Sequence, residues 1–231
     1  MGSIYENKVW TLIDLPNDRR AIEIKWIFKR KTDADSSVTI YKARIVANRF
    51  STKFKMLTTM RDSHSYLCLK SVRIMLAIAA FYEIWQMDIK TAFLSGFIKE
   101  ELYMMQPEGF VNPKGANKIC KLQRSIYGLV QASRSWNIRF DKLIKGYSFI
   151  QTCGEACIYK KVSGSSIAFL ILYVDDILLI GNDMEILDSM KGYLNKSFSK
   201  QDLGEAAYTL SIKIYRDRSI RLTRFFNEYI P

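Results

Sequence analysis

IAFLILYVDDILLI, residues 167–180, is the stretch on which the reading of this chain turns. Eight apolar residues run from Ile167 to Val174, two adjacent carboxylates follow, and Ile177, Leu178, Leu179 and Ile180 close the run. A segment so short and so rich in Ile, Leu, Val and Phe reads as a buried β-hairpin, with Asp175 and Asp176 at or near its turn. Unit charges about 4 Å apart repel by roughly 4 kcal/mol at an effective dielectric of ~20. Desolvation adds to that, so a walled-in pair of carboxylates calls for a cation. Mg²⁺ suits the role, because it takes carboxylate oxygens together with substrate phosphates. An arbitrary Asp-Asp more often marks a solvated turn. Here the apolar walls, and a second acidic stretch upstream, favour the cation.

The 231 residues suit one large domain or two lobes, and a hydrophobic fraction of 48% is enough for a core. A formal charge of +12 calls for a polyanionic partner, nucleic acid first and an anionic membrane second. No run reaches the ~18 apolar residues of a membrane span, and the N-terminus lacks the pattern of a signal peptide. Cys68, Cys120, Cys153 and Cys157 form no CxxC pair, and His64 is the only histidine. That argues against a structural zinc site and for reduced intracellular thiols. It also disfavours a Ser-His-Asp or Cys-His hydrolase, for which His64 is the one candidate base.

Taken in order, residues 1–20 form a lead-in with a turn at Leu15-Pro16-Asn17-Asp18. Residues 22–31 and 38–50 are β-like runs around a loop at 33–37, and both arms are basic. Residues 51–70 show no clean period. Residues 70–82 are helical, with an apolar stripe wide enough for burial on most sides. EIWQMDI, residues 83–89, is a strand that delivers Asp88 ahead of a turn at Ser95-Gly96. Residues 102–106 and 119–122 pair as short strands, and residues 131–145 form an amphipathic helix stopped by Gly146. A strand at 156–162 leads into the opening hairpin, and a helix capped by Asn182 or Asp183 runs to about Phe198. A last hairpin pairs residues 208–215 with 220–223. This order predicts an α+β protein, a mainly antiparallel sheet with helices on one face. Such a sheet can bring Asp88 beside the Asp175-Asp176 turn.

With those pieces in hand the chain resembles a reverse transcriptase, and more narrowly the reverse transcriptase region of copia-type LTR retrotransposon Pol polyproteins. The matching words are YKARIVA (41–47), QMDIKTAFLSG (86–96), EELYMMQPEGF (100–110), KLQRSIYGLVQASRSWN (121–137), LYVDDILLIGND (172–183) and DLGEAAYTLSIKIYRDRS (202–219). They stand in family order over nearly the whole chain.

The resemblance implies a right-hand polymerase: fingers with a basic hairpin at about 22–50, and a palm at about 70–95 and 131–223. Residues 21–231 as a whole are then fingers and palm. Asp88, Asp175 and Asp176 match the three palm aspartates, and the backbone carbonyl of Ile89 joins them as a metal ligand. Two Mg²⁺ ions, replaceable by Mn²⁺, are implied as cofactors. Adjacent aspartates on a strand point to opposite faces, so Asp88 and Asp175 are expected as the main ligands unless a tight turn brings in Asp176. Phe93 matches the aromatic ring that excludes a ribose 2′-hydroxyl, although by itself it reads as a core phenylalanine. Gln131 matches a nucleotide-contacting glutamine, Arg44 is a candidate triphosphate clamp, and Lys31 is a weaker one. The implied partners are an RNA or DNA template with its primer and dNTPs, with no membrane. The implied location is a cytoplasmic particle or the nucleus.

Asn48-Arg49-Phe50 replaces a glycine-containing word of the family, Ser63-His64-Ser65-Tyr66-Leu67 only echoes another, and Ser211 stands where glycine is usual. The thumb is expected to be missing. These departures imply a truncated or degenerate copy, for which a catalytically inactive nucleic-acid-binding remnant is the alternative function. A primer-independent nucleotidyl enzyme such as a cyclase is a third reading.

Overall fold

The computed structural model describes residues 2–32, 38–48, 69–129, 131–198, 200–209, 212–217 and 222–227. In chain order these form helix α1 (Gly2–Glu6), strands β1 (Trp10–Ile13), β2 (Ile24–Thr32) and β3 (Val38–Ala47), and helix α2 (Leu69–Ala79). Strands β4 (Glu83–Ile89), β5 (Tyr103–Met104) and β6 (Ile119–Leu122) lead to helix α3 (Ala132–Gly146). Then come β7 (Ile150–Thr152), β8 (Glu155–Ser163), β9 (Ser166–Tyr173), β10 (Asp176–Gly181) and helix α4 (Met184–Ser197). Strands β11 (Lys200–Glu205), β12 (Tyr208–Thr209), β13 (Ile212–Asp217) and β14 (Leu222–Asn227) follow. The chain divides into two compact units, residues 1–63 with 93–140 and residues 64–92 with 141–231.

The second unit is built on a six-stranded antiparallel sheet in the order β11-β4-β10-β9-β8-β7. Its centre is the hairpin read from sequence, β9 and β10. Leu170, Ile171 and Leu172 are buried in succession, as are Ile177, Leu178, Leu179 and Ile180. Successive strand residues point to opposite faces, so both faces of the sheet must be covered. One face, carrying Ile84, Ile158, Ile171, Leu178 and Ile180, packs on Val72, Met75, Leu76 and Ala79 of α2. On the other face the Lys191 ammonium of α4 sits 3.2 Å from the centroid of the Trp85 ring. The Tyr159 hydroxyl on that face donates to Asp141 of α3 at 3.2 Å. The expectation of helices on one face is therefore corrected: an apolar hairpin buried on both sides requires helices on both.

Helix α2 also differs from its reading. It ends at Ala79, and Ile74 on it and Phe81 just beyond it are exposed, so it buries a single stripe rather than most of its surface. Helix α4 starts where expected, with Asp183 as N-cap accepting from the N–H groups of Glu185 and Ile186. The Ser166 hydroxyl donates to the same carboxylate at 2.7 Å. That bond first, with the Ile186 N–H, holds the Asp183 carboxyl below the ordinary range. The last hairpin is β13 with β14, and residues 208–209 form the separate strand β12 of the same three-stranded sheet. Arg216 fastens it by donating to the Tyr82 carbonyl at 2.7 Å and to Glu205 at 3.1 Å.

In the first unit, β1, β6 and β5 make one antiparallel sheet and β2 with β3 another. The lead-in thus supplies a strand, and its Ile4 and Val9 join the core of this unit. The β2–β3 register runs from Ile24 opposite Ala47 to Lys31 opposite Ile40. The loop at 33–37, Arg49, Phe50 and the stretch 51–68, with His64, Cys68 and the Ser63–Leu67 word, lie outside the described residues. Among the described residues Cys120, Cys153 and Cys157 form no disulfide, and burial pushes the Cys120 thiol up to about 12.

Strand β3 is anchored at Tyr127 and Gly128. The Ala47 N–H donates to the Tyr127 carbonyl at 2.8 Å, and Val46 bridges Tyr127 in parallel. Gly128 has a φ of +86°, and a Cβ there would meet the Ala47 carbonyl oxygen at 2.6 Å. Gly154 has a φ of +82° with open space around it. An alanine at Gly154 therefore meets only backbone strain, about 1–3 kcal/mol. We expect Gly128→Ala to lower the free energy of unfolding by clearly more than Gly154→Ala does, as read from denaturant titrations of the two variants.

Candidate active site

Strands β4 and β10 pair so that Asp176 lies opposite Asp88, Ile177 opposite Met87 and Leu178 opposite Gln86. Residues directly opposed in an antiparallel pair present their side chains to the same face. Asp176 and Asp88 therefore face one another across the ladder, and Gln86, two residues back from Asp88, shares their side. Asp176 is also opposite Tyr173 of β9, which leaves Val174 and Asp175 as the two-residue link of the hairpin. The problem of two adjacent aspartates is solved by that link: Asp175 belongs to the turn and Asp176 to the strand.

The turn is strained. Val174 has a φ of +57°, and Asp175 does not share the positive sign, which is the pattern of a type II′ turn. Glycine is the usual residue there, and a β-branched one costs about 1–3 kcal/mol. Thr91, just beyond β4, carries a second positive φ of +61°. What holds the turn is the Ile89 N–H, which donates to the Asp175 carbonyl at 2.8 Å and ties it to the end of β4.

The electrostatics follow from this geometry. The Asp176 carboxyl is pushed above the ordinary range by burial first, then by the charges of Asp175 and Asp88. The Gln86 side chain donates to Asp176 and opposes the shift. Three carboxylates thus feel one another at the end of the β4–β10 ladder. Among the described residues no three Asp, Glu, His or Cys side chains form a ready-made metal cage. The donor chemistry fits a hard divalent cation: oxygen ligands only, with excess negative charge that burial makes costly. Such an ion would bring the rest of its coordination with a phosphate.

The nucleotide-contact candidates lie in the first unit. Phe93 is half-buried and meets the Tyr127 ring edge-on, with centroids 5.2 Å apart. The Arg44 guanidinium lies 5.3 Å from the centroid of the same ring. The structure thus joins Arg44 and Phe93 through Tyr127. Neither Tyr127 nor Gln86 is marked out by its local sequence, since both positions acquire their contacts through pairing across the fold. Gln131 carries a buried side-chain oxygen without a hydrogen-bond partner among the described residues. Lys31 takes its place on β2 opposite Ile40.

Residues 7–230 match the family model described as reverse transcriptase (RNA-dependent DNA polymerase). The chain belongs to that family. It is 40% identical over 224 residues to the retrovirus-related Pol polyprotein from transposon TNT 1-94 of Nicotiana tabacum, covering 96% of this chain and 17% of that protein. It is 33% identical over 213 residues to the Pol polyprotein from transposon RE1 of Arabidopsis thaliana, covering 91% of this chain and 14% of that one. The chain therefore spans a small part of the curated polyproteins it matches, and corresponds to the reverse transcriptase region of copia-type Pol polyproteins. Telomerase from Candida albicans in complex with a fragment of telomeric RNA aligns over 93% of this chain and 49% of its own, at 10% identity and a TM-score of 0.43, too loose to carry an inference. Reverse transcriptases use divalent metals, which accords with the oxygen-rich donor set here.

The raised Asp176 carboxyl sets a pH dependence. Its folded value exceeds its unfolded one, so the native state binds the proton more tightly. Stability falls as pH rises from the ordinary carboxylate range through the raised value. Asp176→Asn should therefore stabilise the metal-free chain at neutral pH and lose that advantage in acid. The gain should appear as a higher melting temperature of the variant at neutral pH than of the parent. Melting curves of both chains at neutral and acid pH without divalent ions check this; a lower neutral melting point for the variant would show that the charge is relieved in another way.

Proposed function

We propose that Asp88, Asp175 and Asp176 carry metal-dependent transfer of a nucleotide from dNTP to a primer 3′-hydroxyl, directed by an RNA or DNA template. The observation that carries this reading is the register of β4 and β10, which sets Asp176 opposite Asp88 beside the Asp175 turn. In this reading the unit of the six-stranded sheet is the palm and the unit of the β2–β3 hairpin the fingers. The 3′-oxygen would bond to the α-phosphorus as the bond to pyrophosphate breaks, and two Mg²⁺ ions, or Mn²⁺ in their place, would supply the positive charge that favours the deprotonated 3′-oxygen and the departing pyrophosphate. The three carboxylates and the Ile89 carbonyl would hold them.

The other residues serve the substrates. Gln86, donating to Asp176, keeps that carboxylate aimed along the ladder. Arg44 offers a planar guanidinium to the triphosphate, braced on Tyr127, and Lys31 adds positive charge. Phe93, resting against Tyr127, closes the space a ribose 2′-hydroxyl would need. The buried Gln131 oxygen calls for a donor, which a nucleotide sugar hydroxyl supplies. The excess of cations attracts template and primer, and the enzyme would work in a cytoplasmic particle or the nucleus.

Primer extension by residues 1–231 on a primed template with Mg²⁺ and labelled dNTP tests the reading. Asp88→Asn and Asp175→Asn should each lower extension at least about hundredfold and leave template binding nearly unchanged. Normal extension by either variant would end the assignment, and binding without extension in the parent chain would leave a nucleic-acid-binding remnant. Phe93→Val should admit ribonucleotides while most dNTP use persists. If Phe93 is only core, the change should cost about 1–3 kcal/mol of stability with sugar choice intact, which a melting curve beside the dNTP-to-rNTP ratio separates.

A further inference from the structure

Two arginines of the first unit converge on one backbone oxygen. The Ser95 carbonyl, which ends the short helical turn Phe93–Ser95, accepts from Arg124 Nη1 at 3.0 Å and from Arg139 Nη1 as well. Local packing brings them there. Residues 96–98 run antiparallel to 123–125: the Ser125 N–H donates to the Gly96 carbonyl at 2.9 Å, and Phe97 bridges Arg124. Gly96 lies hard against helix α3, where a Cβ would meet the Ser135 Cβ at 2.9 Å and the Trp136 nitrogen at 3.0 Å. Arg139 stands one turn on from Ser135 on the same side of α3. The close approach at Gly96 therefore sets the neighbouring Ser95 within reach of its guanidinium.

Phe97, 60% exposed, stands beside the pair. The guanidinium carbon of Arg124 lies 4.3 Å from the ring centroid and that of Arg139 lies 5.6 Å from it. The ring steadies both cations through its quadrupole but brings no charge to cancel theirs. Burial holds both guanidiniums below the ordinary arginine range, and the charge of Arg124 lowers Arg139 further. Among the described residues Arg124 pairs with no carboxylate. Two part-buried cations thus repel one another across a shared neutral oxygen. An anion would relieve that repulsion.

The donors choose the anion. Each guanidinium carries five N–H groups in a planar fork, and the Ser95 carbonyl takes one from each. A carboxylate has two oxygens and fills a single fork. A tetrahedral phosphate offers more oxygens, in different planes, and accepts from two forks at once.

We infer that Arg124 and Arg139, side by side on the Ser95 carbonyl and braced by Phe97, form a binding site for one phosphate group. The proposed function gives none of these side chains a part, so the inference goes beyond that reading. A free phosphate ion and a phosphodiester of a polynucleotide present the same chemistry to the two forks.

The test follows the side-chain Nε–H signals of Arg124 and Arg139 by NMR on the full chain, without divalent metal or dNTP. Arg124→Lys and Arg139→Lys assign the two signals. The probes are inorganic phosphate, dimethyl phosphate as a copy of the backbone diester, and acetate, each titrated at constant ionic strength with sodium chloride. Both signals should move together along one saturating curve with a phosphate probe. Saturation by inorganic phosphate alone marks a free ion as the ligand, and saturation by dimethyl phosphate marks a backbone. In Arg124→Lys, which keeps the charge and loses the fork, the Arg139 signal should need about tenfold more of that probe for half-saturation. Melting curves establish whether this variant folds, and where it does not, the parent titration decides alone. Signals unmoved by both phosphate probes, movement without saturation, equal half-saturation by acetate, or a folded Arg124→Lys that binds as the parent does overturns the inference. The two arginines would then serve only to fasten the turn at Ser95. Asp88→Asn should titrate as the parent does, so failure of the proposed catalysis and failure of this site are read independently.

Discussion

Two carboxylates of like sign face each other across the ladder of β4 and β10, and much of the second unit exists to hold them there. Left alone, Asp88 and Asp176 would drive their strands apart at that end. The apolar pairs behind them set the register instead: Ile177 with Met87, Leu179 with Trp85, Ile180 with Ile84. A slip of one residue would turn every one of these side chains to the wrong face. Burial of the hairpin on both sides therefore fixes a charge arrangement that is locally unfavourable. The cost appears in the raised proton affinity of Asp176 and in the left-handed backbone of Val174. Strain and repulsion at one strand end, held by a well-packed sheet, accord with the metal-binding role proposed for these carboxylates.

The first unit uses a different constraint. Its β2–β3 hairpin is held at its inner end by the contact of Ala47 with Tyr127 and by the absence of a side chain at Gly128. That contact also brings Arg44 over the Tyr127 ring, against which Phe93 rests. One aromatic side chain thus organises two residues 49 positions apart in sequence (Arg44 and Phe93). Beyond it every charged residue of the two strands is a cation.

Much of this was legible beforehand. The strand delivering Asp88 falls at Glu83–Ile89, and the hairpin with its acidic turn, the helix of Trp136, Phe140 and Ile144, and the Asp183 cap are all where periodicity and capping put them. Strands β1, β7 and β11 were not legible. WTLI, IQT and KQDLGE are short or polar, and each is a strand because a neighbour offers a free edge. The wide apolar stripe of residues 70–82 predicts burial on most sides, yet Ile74 and Phe81 are exposed, because periodicity records which residues are apolar and not how much cover exists.

For the site, the sequence by itself determined the donor chemistry, the apolar walls around it and the surplus of positive charge. These depend on residue types and near neighbours, so they survive without coordinates. Only the tertiary structure decided which aspartate faces Asp88. The alternation of a strand counts from its turn, and the turn here has two residues because Val174 adopts a left-handed conformation that its residue type disfavours. The same holds for Gln86 beside Asp176 and Tyr127 beneath Arg44. Their positions depend on register and on a close backbone approach, which are set by packing across the chain and not by any local pattern.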